Sequence, residues 1–381
     1  MAGLRSTTLS RWPFFAILAT ITSILFLGLG LTFLRPAYGL SSVLTEKLDT
    51  AKQEIKAVES KYFEWETQSA FNPVSYDDDW KNLSTADLCA SFPVHLLQDI
   101  QPVLKTGHGV IESRVRPQIS NGLACLDNLL IFSEVSEEVD GRHLIDVLAD
   151  IPEQLLNETE QTEPYRRLKD CTAAGRDHCD GVLSHDDAWK TDKFKFLPAI
   201  SRAWKMSPEK RWYIFFEADS YLVWDNVFRL LSNFDPDTPL YFGSPAPGRD
   251  GAWFAYGGSG YIISRAAMRE LIKDDWDSVT GDYLGSKLTE RYWKNLLNDC
   301  CGDSAVGWAL HDNGVDLSGL WPMFSPHPPH GVPFSSLYWC QPLIGMHKPN
   351  EDEVHNLWRW QYGHRTYDVG TLSSASSSRI N

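Results

Sequence analysis

The chain has no run of basic residues, no Cys-x-x-Cys pair and no Cys/His spacing of a zinc site. It also has no glycine-rich turn joining a strand to a helix, and no internal repeat. Each absence excludes something. Phosphate backbones are held by clustered Lys and Arg, and here 35 Lys and Arg face 50 Asp and Glu for a formal net charge of -15, so nucleic-acid binding drops out. Without a Gly-x-Gly-x-x-Gly turn there is no dinucleotide fingerprint. What is present is a globular composition, 43% hydrophobic and 22% charged over 381 residues. Aromatics are abundant, with 15 Trp, 14 Tyr and 18 Phe, and core packing accounts for most of them.

The first residues set the compartment. Pro13 to Leu34 is a charge-free run of 22 residues between Arg11 and Arg35. At 1.5 Å per residue it spans about 33 Å, enough for a bilayer core. A cleavable signal peptide is the alternative, with small residues at Ala37 and Gly39, but its apolar region normally runs about 7–15 residues. Two sequons, Asn82-Leu83-Ser84 and Asn157-Glu158-Thr159, place the body outside the cytosol. All seven cysteines follow the run: Cys89, Cys125, Cys171, Cys179, Cys300, Cys301 and Cys340. In an oxidising lumen they form disulfides, and an odd number leaves one thiol over in a monomer. The expectation is a single-pass type II membrane protein with residues 1–12 cytoplasmic and 13–34 as anchor.

Residues 35–93 read as a stem. Leu44, Leu48, Ala51, Ile55, Val58, Tyr62 and Trp65 alternate by four and three, either a coiled coil over 44–65 that makes a homodimer or one amphipathic helix. Asp77-Asp78-Asp79 reads as solvated linker. A catalytic body is expected over 94–366, with a disordered tail at 367–381. Residues 99–104, 128–134, 211–217, 239–243 and 260–263 read as strands. Residues 142–149, 194–204 and 265–273 read as helices. Strands alternating with helices predict an α/β sandwich around a mostly parallel central sheet.

Strand ends are where such a sheet presents chemistry. Glu217 and Asp219 close the aromatic run RWYIFFE, and two acids there can surround one hard divalent ion, although ordinary surface acids would look the same. Tyr256-Gly257-Gly258-Ser259-Gly260 precedes YIIS, where missing side chains let a substrate approach the backbone or simply make a tight turn. Asp303 opens a helix in CCGDSAVGW, a position that suits an N-cap as well as a carboxylate at a crevice mouth. WCQPLIGMH delivers His347 to a strand end, where a lone His is as easily structural as a metal ligand. His327 and His330 belong to a Pro-rich loop.

Taken in order, strand-Glu217-Ala218-Asp219, GGSGYIIS, GDSAVGWAL and WCQPLIGMH resemble the Fringe-related β-1,3-glycosyltransferases of glycosyltransferase family 31, their fungal-type branch in particular. Lys105-Thr106-Gly107, IFSE at 131–134 and Asp192-Lys193-Phe194-Lys195-Phe196 resemble further motifs of that family, so the likeness covers roughly residues 99–362. The resemblance implies a GT-A fold, a Golgi or ER membrane location, a UDP-sugar donor, Mn²⁺ or another divalent cation, and inversion at the anomeric carbon. By matching position, Asp219 and His347 would hold the metal and Asp303 would be the base. Lys105, Thr106, Glu134, Glu217, Gly258 and Ser259 would face the donor. Glu217 departs from the family's Asp, and Lys348 stands where relatives often have a second His.

On this reading a hexose or N-acetylhexosamine passes to a hydroxyl of a glycan or glycoprotein. Two other classes use the same residues. A lumenal metal-dependent phosphohydrolase would need more metal ligands, and a non-catalytic glycan-binding protein would have kept the fold alone. For the cysteines, Cys171 with Cys179 is a local pairing, and Cys340 with Cys300 or Cys301 would pin the base loop to the His347 strand.

Overall fold

The computed structural model describes residues 82–372, apart from 91, 176–178, 180, 334 and 339. The expected anchor at 13–34 and the seam at 44–65 lie outside these residues. Among the described residues no helix is long and apolar enough to cross a membrane.

An eight-stranded sheet organises the body. Its strands are β1 (Ile100–Lys105), β2 (Leu130–Ser133), β3 (Glu137–Val139), β4 (Arg142–Asp146), β5 (Trp212–Glu217), β7 (Tyr241–Gly243), β10 (Tyr261–Ser264) and β11 (Leu317–Gly319), in the order β11-β7-β10-β5-β1-β2-β4-β3. β6 (Ser220–Leu222), β12 (Phe324–Ser325) and β13 (Gly345–His347) form a second, small sheet, and β8 (Pro245–Pro247) pairs with β9 (Trp253–Ala255). The contiguous block β4-β2-β1-β5 is parallel, whereas β10 runs against both of its neighbours. Strands covered on both faces read as near-continuous apolar runs, as WYIFFE does in β5; β1, IQPVLK, is buried along its whole length but carries Gln101 inside and Lys105 at its end.

Alternation along β5 separates two layers of packing. Tyr213 and Phe215 join the large core with the helices Phe196–Met206, Arg265–Ile272, Lys287–Asn298 and Gly302–Asp312. Phe216 meets Trp224 edge-on, and Trp224 begins the helix Trp224–Leu231. The result is a mixed α/β sandwich, consistent with the GT-A type that the resemblance implies.

Several expectations need correction. Residues 142–149 are not helical: 142–146 form β4, followed by a 3-10 turn at Leu148–Asp150. Leu144, Val147, Leu148 and Ile151 do have helical spacing. Asp140 and Gly141, both at positive φ (49° and 76°), instead turn the chain into a tight hairpin that pairs Val139 with Arg142. Residues assigned to the stem already pack on the body. Leu88 in the helix Thr85–Ala90 is buried, Cys89 is bonded to Cys125, and Phe92 stacks on Tyr362 of the helix Glu351–Leu372. That last helix carries the chain to Leu372, beyond the expected boundary at 366.

Cys171 and Cys179 are bonded as anticipated. Cys340 is not joined to the base loop. Cys300 and Cys301 are bonded to each other, which leaves Cys340 as a free thiol on an exposed turn.

Candidate functional site

β1 and β5 lie parallel and in register, with Lys105 opposite Glu217, so both polar residues emerge at the carboxyl edge of the sheet. Past Glu217 the chain reverses through Ala218 and Asp219 into β6. β6 pairs antiparallel with β13 and sets His347 opposite Ser220. The pairing brings His347 Nε2 to 3.6 Å from Asp219 Oδ2, and Lys348 N–H donates to the Asp219 carbonyl at 2.7 Å. Arg114 Nη1 donates to the same Oδ2 at 2.7 Å, while Asp219 Oδ1 is buried without a hydrogen-bond partner. Burial alone would raise this carboxyl, but the His347 ring and the Arg114 charge outweigh it and hold it below the ordinary aspartate value.

These residues fit a divalent cation. An unsatisfied carboxylate oxygen beside an imidazole supplies one hard and one borderline donor, and a buried acceptor left unpaired is costly unless something binds it. No group of three or more His, Cys, Asp or Glu able to hold a metal occurs among the described residues, so substrate oxygens and water would complete the set.

The glycine pair sets the floor of the crevice. A Cβ on Gly258 would lie 2.5 Å from the His347 ring, so only glycine lets that ring sit where it does. A Cβ on Gly257 would be 2.9 Å from Glu217 Oε1 and 3.3 Å from Asp303 Oδ2, which places the two carboxylates around one point. Tyr256, just before them, has its hydroxyl 3.1 Å from His347 Nδ1 and its ring edge-on to the imidazole. Ser259 is fully buried and donates to the Tyr256 carbonyl, so its hydroxyl braces the turn.

Asp303 is not the N-cap. Cys301 holds that position, and Asp303 lies inside the first turn of the helix Gly302–Asp312. Its Oδ2 accepts the Gly257 N–H at 2.8 Å and its Oδ1 the Ser304 N–H at 2.9 Å, which ties the helix start to the glycine turn. Gly302 makes the seating possible, because a Cβ there would fall 2.2 Å from the Phe196 ring. Burial raises the Asp303 carboxyl, and its two N–H bonds only partly offset this.

The residues expected on the nucleotide side are bound up with one another. Lys105 Nζ lies 2.5 Å from Asp192 and 3.3 Å from Glu217. Lys195 Nζ lies 2.8 Å from Glu134 and 3.0 Å from Asp192, and donates to the Thr106 carbonyl. Glu134 also accepts the His108 N–H at 3.0 Å, and the Thr106 hydroxyl is buried without a partner. Burial opposes ionisation of Asp192, yet its two lysines prevail and lower it to about 2. Glu217 goes the other way: burial, reinforced by the charges of Asp192, Asp219 and Asp303 and opposed by Lys105, pushes it up to about 7. Above them Phe196, Phe215 and Tyr261 line a recess with Lys105, Glu217 and Gly257.

Sequence reasoning brought Glu217, Asp219, Gly258, Asp303 and His347 to one place. It placed Asp192, Lys195 and Tyr256 within motifs but gave them no role, and it did not single out Arg114. Asp192 and Lys195 had a signal, the i, i+3 spacing of opposite charges in DKFKF; Arg114, on a separate segment, had none.

Residues 171–292 match the family model described as Fringe-like. A "Glycoprotein-N-acetylgalactosamine 3-beta-galactosyltransferase 1" of Xenopus laevis is 32% identical over 65 residues, 17% of this chain and 18% of that protein. The similarity thus spans less than a fifth of the relative's length. The family match includes Asp192, Glu217, Asp219 and the glycine turn, and ends before Asp303 and His347. Over residues 171–292 the chain is similar to the Fringe-like family.

Proposed function

We propose that the protein is an inverting, metal-dependent glycosyltransferase. It would move a hexose or N-acetylhexosamine from a UDP-sugar to a glycan or glycoprotein hydroxyl, forming a β-1,3 linkage. The observation that carries this reading is the meeting of Asp219, His347, Glu217 and Asp303 around Gly257 and Gly258 at the carboxyl edge of the sheet. The Fringe-like match and the galactosyltransferase relative support the same class.

Asp219 and His347 would hold Mn²⁺ or another divalent ion, which when bound neutralises charge on the departing diphosphate. Asp303 would take the proton of the acceptor hydroxyl as the new bond forms. A carboxyl raised by burial is a stronger base once ionised, and its two N–H bonds keep it aimed. Lys105 and Lys195 belong to the buried ion network below, so their part is to hold Glu217 and the KTG turn in place rather than to reach the donor freely.

The anchor, the lumenal Golgi or ER location and dimerisation through the stem belong to the same proposal. The test is the full chain with Mn²⁺ and a panel of UDP-sugars and acceptors, read as UDP release. Transfer with at least one donor is expected. Tight UDP binding without turnover across the panel would favour the non-catalytic reading instead.

A further inference from the structure

Arg114 lies in a single π-helical turn, Ile111–Val115, in the segment that leaves β1 at Lys105. Such turns recur at functional sites, because the widened ring weakens the local ladder. Its Nη1 sits on Asp219 Oδ2 at 2.7 Å, yet its side chain keeps 41% of its surface in solvent. Its other donors make no hydrogen bond among the described residues. Asp219 thus has one oxygen held by a cation on a flexible arm and the other buried with no partner. A guanidinium and a divalent cation on one carboxylate repel each other, so each weakens the hold of the other.

We propose that Arg114 is a resident counter-ion. It leaves Asp219 when the divalent cation arrives and then grips a phosphate of the nucleoside diphosphate. The inference rests on the glycosyltransferase reading and adds a diphosphate-binding residue to it. A guanidinium suits this exchange, because its planar fork matches carboxylate and phosphate equally well and never loses its charge. The contact with Asp219 would keep the arm beside the crevice until the ligands come.

The test separates a counter-ion from a structural prop. Mn²⁺ affinity is measured alone, and UDP affinity is then measured at saturating Mn²⁺, in the full chain and in Arg114→Gln and Arg114→Lys. In Arg114→Gln, Mn²⁺ alone is expected to bind about 3–10-fold more tightly, because its competitor is gone. UDP is expected to bind about 10-fold or more weakly, the worth of a charge-assisted hydrogen bond. Arg114→Lys keeps the charge, so its Mn²⁺ affinity should return toward the parent's while its UDP affinity recovers only in part. A parent that binds both ligands, with Arg114→Gln showing unchanged or weaker Mn²⁺ binding or unchanged UDP binding, would overturn the inference alone. A parent that binds neither ligand would overturn the functional reading and the inference with it.

Discussion

His347 stands 3.6 Å from Asp219 because a three-residue strand pairs it opposite Ser220, one residue beyond the acid. The contact is therefore made by backbone register, and side-chain substitutions there should change binding without disturbing the pairing. Asp219→Asn and His347→Ala are each expected to weaken Mn²⁺-dependent UDP binding and to lower transfer by about 10²–10³-fold, the worth of several kcal/mol of lost charge stabilisation. Calorimetry with UDP at fixed Mn²⁺, beside a turnover assay, checks this. Near-normal metal binding by Asp219→Asn would remove the metal assignment.

Asp303 should separate binding from chemistry. Asp303→Asn keeps the size but cannot take a proton, so UDP affinity should stay near normal while transfer falls about 10²–10⁴-fold. One of the two N–H groups it now satisfies loses its acceptor, at about 1 kcal/mol of stability. Because burial raises this carboxyl, the acid limb of kcat/KM should lie above the ordinary aspartate range. A full rate in Asp303→Asn would dismiss it as the base.

Lys195 is the buried cation between Glu134 and Asp192, with 3% of its side chain exposed. Removing one member of a buried ion group strands the others. Lys195→Met is therefore expected to cost about 3–5 kcal/mol, measured by urea denaturation. The Asp192 carboxyl is lowered in the folded state, so its contribution is present above about pH 4 and is lost as pH falls toward 2. A Lys195→Met variant as stable as the parent would show that this network does not support the crevice.

Asp275 gives the opposite pH sign. It is fully buried, accepts the Leu288 N–H through Oδ1, and has Oδ2 unpartnered. Burial pushes its carboxyl from 3.8 to about 6. The folded state then holds the proton more tightly than the unfolded chain, so stability falls as pH rises from about 4 to about 6. Asp275→Asn should flatten that part of the stability curve, leaving the variant more stable at pH 7 by about 2–3 kcal/mol relative to its own value at pH 4 than the parent is. Parallel curves for the two proteins would contradict the assignment.

Covalent structure offers a direct check. Peptide mapping without reduction should recover Cys89 linked to Cys125 and Cys171 to Cys179, and should find Cys340 alkylated in the native protein. Asn82 and Asn157 are both exposed, so a lumenal body should lose mass on glycosidase treatment at one or both sites. Unchanged mass at both, with protease access from the cytosolic side, would contradict the lumenal topology.

Local pattern sufficed for β1 and β5, short β-rich runs buried along their length, and for the helix at Phe196–Met206. It also placed Glu217, Asp219 and His347 at strand ends, Gly258 in a glycine turn and Asp303 at a helix start, positions that the fold brings together, while their chemical roles remain part of the proposal. It failed at 142–149, where a two-residue turn at Asp140 and Gly141 overrode a helical spacing of apolar residues.

The cysteine pairing, the Asp303 hydrogen bonds and the ion network had to wait for tertiary structure. Each depends on which distant segments meet. A disulfide between Cys300 and Cys301 leaves Cys340 alone, and Gly302 seats a helix against Phe196 so that Asp303 reaches Gly257. Arg114 meets Asp219 only because β1 and β5 lie side by side and deliver their following loops to the same edge. Sequence determined which residues can stand at strand ends. Folding decided what each of them touches, because a charge brought out of water needs a partner that local sequence does not name.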